Sequence, residues 1–255
     1  MDFWSIVLRL YLAHVIADFP LQTNKIYFLK TKYRFVGVIP HVLIHFFTML
    51  LILFPFLNNI HILLIIISIS IIHYIIDTAK VEINKYIYIS KQSPLKELFF
   101  FFLDQFLHFI TIFIVSDYFL PLNSILYPSF KLPHLLKIFY LQENTKYILL
   151  LISIIFATYG IPVIPYSISG YLYERDKINF KGKLLEEIFS KLYRVLILIL
   201  LILKGYYFIL IIFPIMIVFL YIHLKKYRVS YNYFKELVST IATIILGIIL
   251  RFYVF

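Results

Sequence analysis

Apolar runs long enough to cross a lipid bilayer recur along the whole chain, separated by short lysine-bearing segments. A spanning helix needs about 20 largely apolar residues. Hydrophobic residues make up 62% of the 255, against about 45–50% in soluble domains. A soluble core of this size has no room for them, so lipid must be the solvent for much of the surface. The expected fold is all-α, a polytopic transmembrane helix bundle of about eight spans. They are predicted near residues 3–19, 38–57, 60–77, 98–120, 147–168, 188–203, 205–223 and 236–254. Pro20 should end the first, since its ring nitrogen has no hydrogen to donate. Asn58 and Asn59 should turn the chain between the second and third. The break between the sixth and seventh rests on Lys204 and Gly205, and one long bent helix is the alternative there.

The basic residues orient this array. Lys25, Lys30, Lys32 and Arg34 follow the first span, and Lys80, Lys85, Lys91 and Lys96 follow the third. Arg175, Lys177, Lys181, Lys183, Lys191 and Arg194 follow the fifth, and Lys225, Lys226, Arg228 and Lys235 the seventh. The alternate side holds only Lys131, Lys137, Lys146, Lys204 and Arg251. Such asymmetry follows the positive-inside rule, placing the basic segments in the cytoplasm and both termini outside.

Several classes are excluded or disfavoured. The chain has no cysteine, which removes disulfides, thiolate metal sites and cysteine nucleophiles. Its net charge of +11 lies in loops between apolar runs, so nucleic acid is not an expected partner. Asp2 stands where a cleavable signal peptide would be basic. Residues 80–97 mix lysine with Ile, Tyr and Leu and read either as an interfacial amphipathic helix or as a basic loop.

Within this frame the ionisable residues of the first four spans form a pattern. They are His14 and Asp18, His41 and His45, His73 and Asp77, and Asp104 and His108. Every pair is spaced i, i+4, which sets both side chains on one helix face, one turn apart. The same spacing lets two helical residues grip one metal ion. The pairs lie near the C-terminal ends of spans one and three and the N-terminal ends of two and four. With alternating orientation all eight therefore fall in one layer near the cytoplasmic face. An Asp at a helix centre costs about 2.5–3.5 kcal/mol to insert. Facing inward, the eight make ligands for a divalent cation such as Zn, Mn, Fe or Mg. Five imidazoles and three carboxylates exceed one tetrahedral site and suit two ions sharing a carboxylate. A purely structural polar network is the competing reading.

Other residues are weaker candidates. Gln22 and Gln105 border the cluster and suit either ligand-orienting or packing roles. Arg9 either neutralises charge, the favoured reading, or faces a substrate phosphate. His61 and Asp117 should be interfacial. His134 and His223 have no partner nearby in sequence. Tyr166, Ser167, Ser169 and Gly170 read as a helix end or a small polar pocket, and Glu174, Arg175 and Asp176 as a solvated loop.

The run His14-Val-Ile-Ala-Asp18-Phe-Pro-Leu-Gln22-Thr resembles the opening motif of a bacterial membrane family, domain of unknown function 3307. His41-Val-Leu-Ile-His45, His73-Tyr-Ile-Ile-Asp77 and Asp104-Gln105-Phe-Leu-His108 match it in the same order. The resemblance covers about residues 1–120, implies a bacterial inner-membrane location, and brings no activity. A looser similarity is to LexA-regulated inner-membrane proteins described as metal-dependent hydrolases. Two parts are accordingly expected: a His/Asp-bearing four-helix domain at 1–120, and four further spans at 121–255 packing on it.

The leading functional expectation is a metal-dependent, dinuclear membrane hydrolase. Its partners would be the bilayer and a lipid-like or small-molecule substrate, amphipathic and phosphorylated, at the cytoplasmic leaflet. The alternatives are a metal-ion or proton-coupled transporter, a scaffold with a structural metal, and a bis-histidine haem protein, which would leave the aspartates without a role. Transport sites usually lie near the midplane at repeat interfaces, whereas these residues sit toward one face. Substrate, metal identity, catalytic base and oligomeric state are not legible in the sequence.

Overall fold

The first helix, α1 (Phe3–Asp18), starts where the Asp2 carboxylate accepts a hydrogen bond from the Ser5 amide at 2.8 Å. That contact satisfies one of the free donors of the first turn. A computed structural model describes residues 2–89, 94–120, 125–126, 145–165, 184–204 and 230–253. The described residues form seven helices: α1, α2 (Asn24–Ile52), α3 (Ile60–Ile89), α4 (Pro94–Phe119), α5 (Thr145–Ile155), α6 (Leu184–Lys204) and α7 (Ser230–Tyr253). The chain divides into two compact units, residues 1–92 with 99–152, and residues 93–98 with 153–255.

Four segments are long and apolar enough to cross a membrane: Asn24–Ile52, Ile60–Ile83, Leu98–Phe119 and Thr145–Pro165. This is the pattern of a multi-pass membrane protein. The expected count of eight is not reached among the described residues. Helix α1 has 16 residues. In α6, Lys191, Arg194 and Lys204 interrupt the apolar run, and α7 carries Lys235 and Glu236 near one end and Arg251 near the other. The predicted span at 205–223 lies outside the described residues, as does the break at Lys204–Gly205.

Two predicted basic loops are largely helical. The chain re-enters helix at Asn24, fourteen residues ahead of the expected start, with the Thr23 hydroxyl accepting from the Ile26 amide at 3.4 Å. It then breaks at Arg34, which adopts φ 47° and ψ −120°. Positive φ is costly for a residue with a Cβ, and the Arg34 side chain meets Glu82 of α3 at 3.4 Å. Beyond the break the chain passes so close to the preceding turn that a Cβ on Gly37 would lie 1.9 Å from the Leu29 carbonyl oxygen. Only glycine fits there. Helix α3 likewise runs past its expected end at residue 77 to Ile89.

In the first unit the apolar and polar residues separate along the helix axes. One end is packed by Phe3, Ile6, Val7 and Leu10 of α1, Met49 of α2, Ile62, Ile65, Ile66 and Ile69 of α3, and Ile112 and Val115 of α4. The Asn58–Asn59 turn closes that end, the Asn59 side chain accepting from the His61 amide at 2.9 Å. Hydroxyls within the helices are satisfied locally, Thr48 bonding the Ile44 carbonyl and Ser70 the Ile66 carbonyl. The opposite ends of the same four helices carry His14 to Asp18, His41 to His45, His73 to Asp77 and Asp104 to His108.

In the second unit α6 and α7 run parallel. Ser190 bonds both carboxylate oxygens of Glu236 at 2.8 Å, and eleven residues further along each helix Leu201 packs on Gly247. A small residue at that crossing lets the helices approach closely. Arg251 then donates to the carbonyls of Leu201 and Ile202 at 3.2 and 2.9 Å, capping the last turn of α6. Helix α5 leads into a π-helical turn, Phe156–Gly160, whose Tyr159 ring lies 4.2 Å from the Lys191 ammonium.

Candidate metal centre

All eight residues singled out by spacing converge in one buried cluster. His14, His41, His45, His73 and His108 are each no more than 2% exposed, and Asp77 and Asp104 no more than 5%. The Asp18 side chain is 10% exposed. Helical geometry explains the convergence: each i, i+4 pair occupies one face, and four adjacent helices turn those faces toward a common axis.

Asp18 organises one side. Its Oδ1 lies 3.1 Å from Nε2 of both His41 and His45, and its Oδ2 lies 3.2 Å from Nε2 of His14. Asp77 reaches across, with Oδ2 at 3.4 Å from His41 Nε2 and 3.6 Å from His73 Nε2, and Oδ1 at 3.7 Å from His108 Nε2. Asp104 Oδ1 lies 3.4 Å from His108 Nε2. The imidazoles are in mutual contact, His45 and His73 having ring centroids 3.8 Å apart and His73 and His108 4.3 Å.

Three sets of donor atoms each lie within 4.8 Å of one another. They are Asp18, His41, His45 and His73; His14, His73 and His108; and Asp77, Asp104 and His108. The first and third share no residue, and Asp77 touches members of both. His14 Nε2, His41 Nδ1, His73 Nε2, His108 Nε2 and Asp104 Oδ1 are buried without a well-aligned hydrogen bond, although the Nε2 atoms of His14, His73 and His108 each lie within 3.7 Å of a carboxylate oxygen. Buried polar atoms are normally satisfied. A donor set with unused lone pairs, nitrogen and oxygen mixed, fits a borderline or hard divalent cation.

Two residues counted as loop charges belong to the cluster. The Lys30 ammonium pairs with Asp77 Oδ2 and donates to Gln22 Oε1 at 3.2 Å. The Lys80 ammonium pairs with Asp104 Oδ2. Lys80 stands seven residues after His73, two turns along the same face, a signal available from spacing alone. Lys30 has no comparable signal, because only the break at Arg34 brings its turn to the site. Gln105 donates to Asp18 Oδ2 at 2.9 Å and to Asp104 Oδ2 at 3.4 Å. Both glutamines therefore stand one contact behind the cluster, where they orient its members.

The remaining candidates fall elsewhere. Arg9 is buried and its guanidinium donates to the hydroxyl and carbonyl of Ser5, one turn further from the cluster. His61 and Asp117 are exposed. His134, His223, Tyr166, Ser167, Ser169, Gly170, Glu174, Arg175 and Asp176 lie outside the described residues.

No curated protein and no solved structure matches the chain. The family described as a protein of unknown function, DUF3307, matches residues 6–137, more than half of the chain and the whole of the His/Asp cluster. The chain belongs to the DUF3307 family.

Proposed function

We propose that the chain is a metal-dependent hydrolase of the bacterial inner membrane, acting on an amphipathic, phosphorylated substrate at the cytoplasmic leaflet. Residues 1–120 carry the chemistry. His14, Asp18, His41, His45, His73, Asp77, Asp104 and His108 would be the ligands of two divalent ions, Zn, Mn, Fe or Mg. The observation that carries this reading is the convergence of five imidazoles and three carboxylates into three sets of donor atoms, the atoms of each set within 4.8 Å of one another. Two such ions would supply an activated water and a cationic clamp for a phosphoryl oxygen.

The chain's own residues set the charge. Three aspartates and two lysines together carry one net negative charge. Two divalent ions turn that balance positive, and a positive, water-poor site favours an anionic group. Gln105 holds Asp18 and Asp104 in place, and Lys30 holds Asp77.

The parallel course of α6 and α7 fits an even number of spans with both termini on one side of the membrane, and the basic segments make that side the outer one. Parallel neighbours require the chain between them to return along their length. A span at 205–223 would make that return and bring the count to eight.

The Lys30–Asp77 and Lys80–Asp104 pairs favour a second reading, a metal-free polar network. Elemental analysis of the detergent-purified protein decides between them. About two equivalents of metal are expected, lost in an Asp18→Ala/His45→Ala/Asp77→Ala variant. No metal in either protein, even after loading with Zn or Mn, removes the hydrolase reading and leaves the network.

A further inference from the structure

A cleft of about 220 Å³ opens beside the cluster, between α3 and α4. Its walls are Ile75, Ile76, Ala79 and Ile83 from α3, and Phe100, Leu103 and Leu107 from α4. Among the described residues, Lys80 and Asp104 are the polar ones that line it. Ile75, Ile83 and Leu107 are 58%, 44% and 41% exposed, so the cleft is open at its outer edge. In a chain that crosses the bilayer, that edge meets hydrocarbon rather than water.

The two ends of the cleft differ in chemistry. The outer part offers only aliphatic and aromatic side chains, with room for a segment of one hydrocarbon chain and not for a whole lipid. The inner end offers the Lys80 ammonium and, beside it, Asp104. Asp104 is 5% exposed, and its Oδ1 has no well-aligned hydrogen bond and faces His108. An amphiphile lying along the cleft would keep its tail on the apolar walls and bring its head to the Lys80 ammonium, which is partly exposed and shared with Asp104 Oδ2.

We propose that the α3–α4 cleft is the binding site for the hydrocarbon chain of a membrane lipid phosphate, entering sideways from the bilayer with its phosphate at Lys80. This rests on the hydrolase reading for the fate of the phosphate, but not for the binding itself. Lateral entry suits the place of the cluster: a lipid headgroup reaches it without crossing the hydrocarbon, and the tail stays in apolar surroundings throughout. Lys80 is a binding residue here, giving up part of its contact with Asp104 to the incoming phosphate. A charge-assisted contact of this kind contributes about 1.5–3 kcal/mol.

The test uses the full chain in detergent and a long-chain alkyl monophosphate carrying a diazirine near its tail, with the matching alcohol as control. Photolabelling should fall on peptides containing residues 75–83 and 100–107, and unlabelled phosphate should compete better than the alcohol. Lys80→Met should lose that preference, about tenfold or more by the worth of the contact, while still being labelled by the alcohol. Ala79→Trp, which fills the cleft, should lose labelling by both probes with its metal content unchanged; Ile83→Trp at the open edge serves the same purpose should the first variant misfold. Labelling spread evenly over lipid-facing helices, or equal competition by phosphate and alcohol, overturns the proposal. The expected labelling pattern in a protein that binds no metal upholds the cleft and removes the hydrolase reading. Indiscriminate labelling of a metal-bearing protein does the reverse.

Discussion

Replacing Gly37 by alanine tests the turn that delivers Lys30 to the cluster. The added Cβ would lie 1.9 Å from the Leu29 carbonyl oxygen, 2.6 Å from its carbonyl carbon and 3.1 Å from the Lys30 nitrogen. All three are backbone atoms, so no rotamer change relieves the contact. The two segments must part by about 1 Å or more to restore ordinary van der Waals separation. Lys30 sits on the displaced turn, and its ammonium is bonded to a carboxylate that is 2% exposed. Removing one partner from a buried ion pair costs about 3–5 kcal/mol, and alanine's better helix propensity returns at most about 1 kcal/mol. A net loss of roughly 2–4 kcal/mol follows from those two terms. The internal control is Gly247→Ala, where the new Cβ meets the Leu201 Cδ1 methyl at 2.7 Å. That atom is the end of a flexible side chain, with the Leu201 Cβ behind it at 3.2 Å, so the change should cost less there than at Gly37. Equilibrium unfolding of the two variants in mixed micelles, read by circular dichroism, gives the comparison. Equal stability for the two would refute the close passage at Gly37 and, with it, the delivery of Lys30.

Three further outcomes are expected. Lys30→Met should destabilise the metal-free protein by about 3–5 kcal/mol, yet take up metal at lower concentration, because the cation held at Asp77 no longer opposes the ions; thermal unfolding across a metal titration reads both effects. Gln105→Leu removes the donor shared by Asp18 and Asp104 and should weaken metal binding about 10–100-fold, measured by competition with a chelator. Arg251→Ala uncovers the carbonyls of Leu201 and Ile202 and should cost about 1–3 kcal/mol, with metal content unchanged in the same preparation.

The eight cluster residues are legible in the sequence because their signal is local. An i, i+4 pair shares a face whatever surrounds the helix, and four pairs in four successive apolar runs need only alternation to meet at one depth. Lys30, Lys80 and the roles of the glutamines depend on contacts between helices. Lys30 in particular depends on a backbone break at a residue, Arg34, whose type gives no hint of positive φ. Where the helices end was misjudged for a related reason. Hydropathy marks where lipid begins, not where the backbone stops being helical. Lysine propagates helix well, and no glycine or proline stands between Lys25 and Arg34 or between Lys80 and Ile89, so both segments stay helical after their apolar character fades. Counting Lys30 and Lys80 as loop charges also overstates the orientation signal, since both are paired with buried aspartates.

The burial of α1 has a consequence for biosynthesis. Eleven of its residues are buried, among them Arg9 and His14, and the helices that enclose the His14–Asp18 face all follow it in the chain. Alone in a bilayer, a helix of 16 residues carrying an arginine, a histidine and an aspartate is a poor anchor. It becomes comfortable only when α2, α3 and α4 have entered and turned their own polar faces toward it. The earliest of these helices to be synthesised is thus the last to complete its packing. Chains stalled before α4 would leave that helix exposed to quality-control proteases, whereas chains stalled just after it would not.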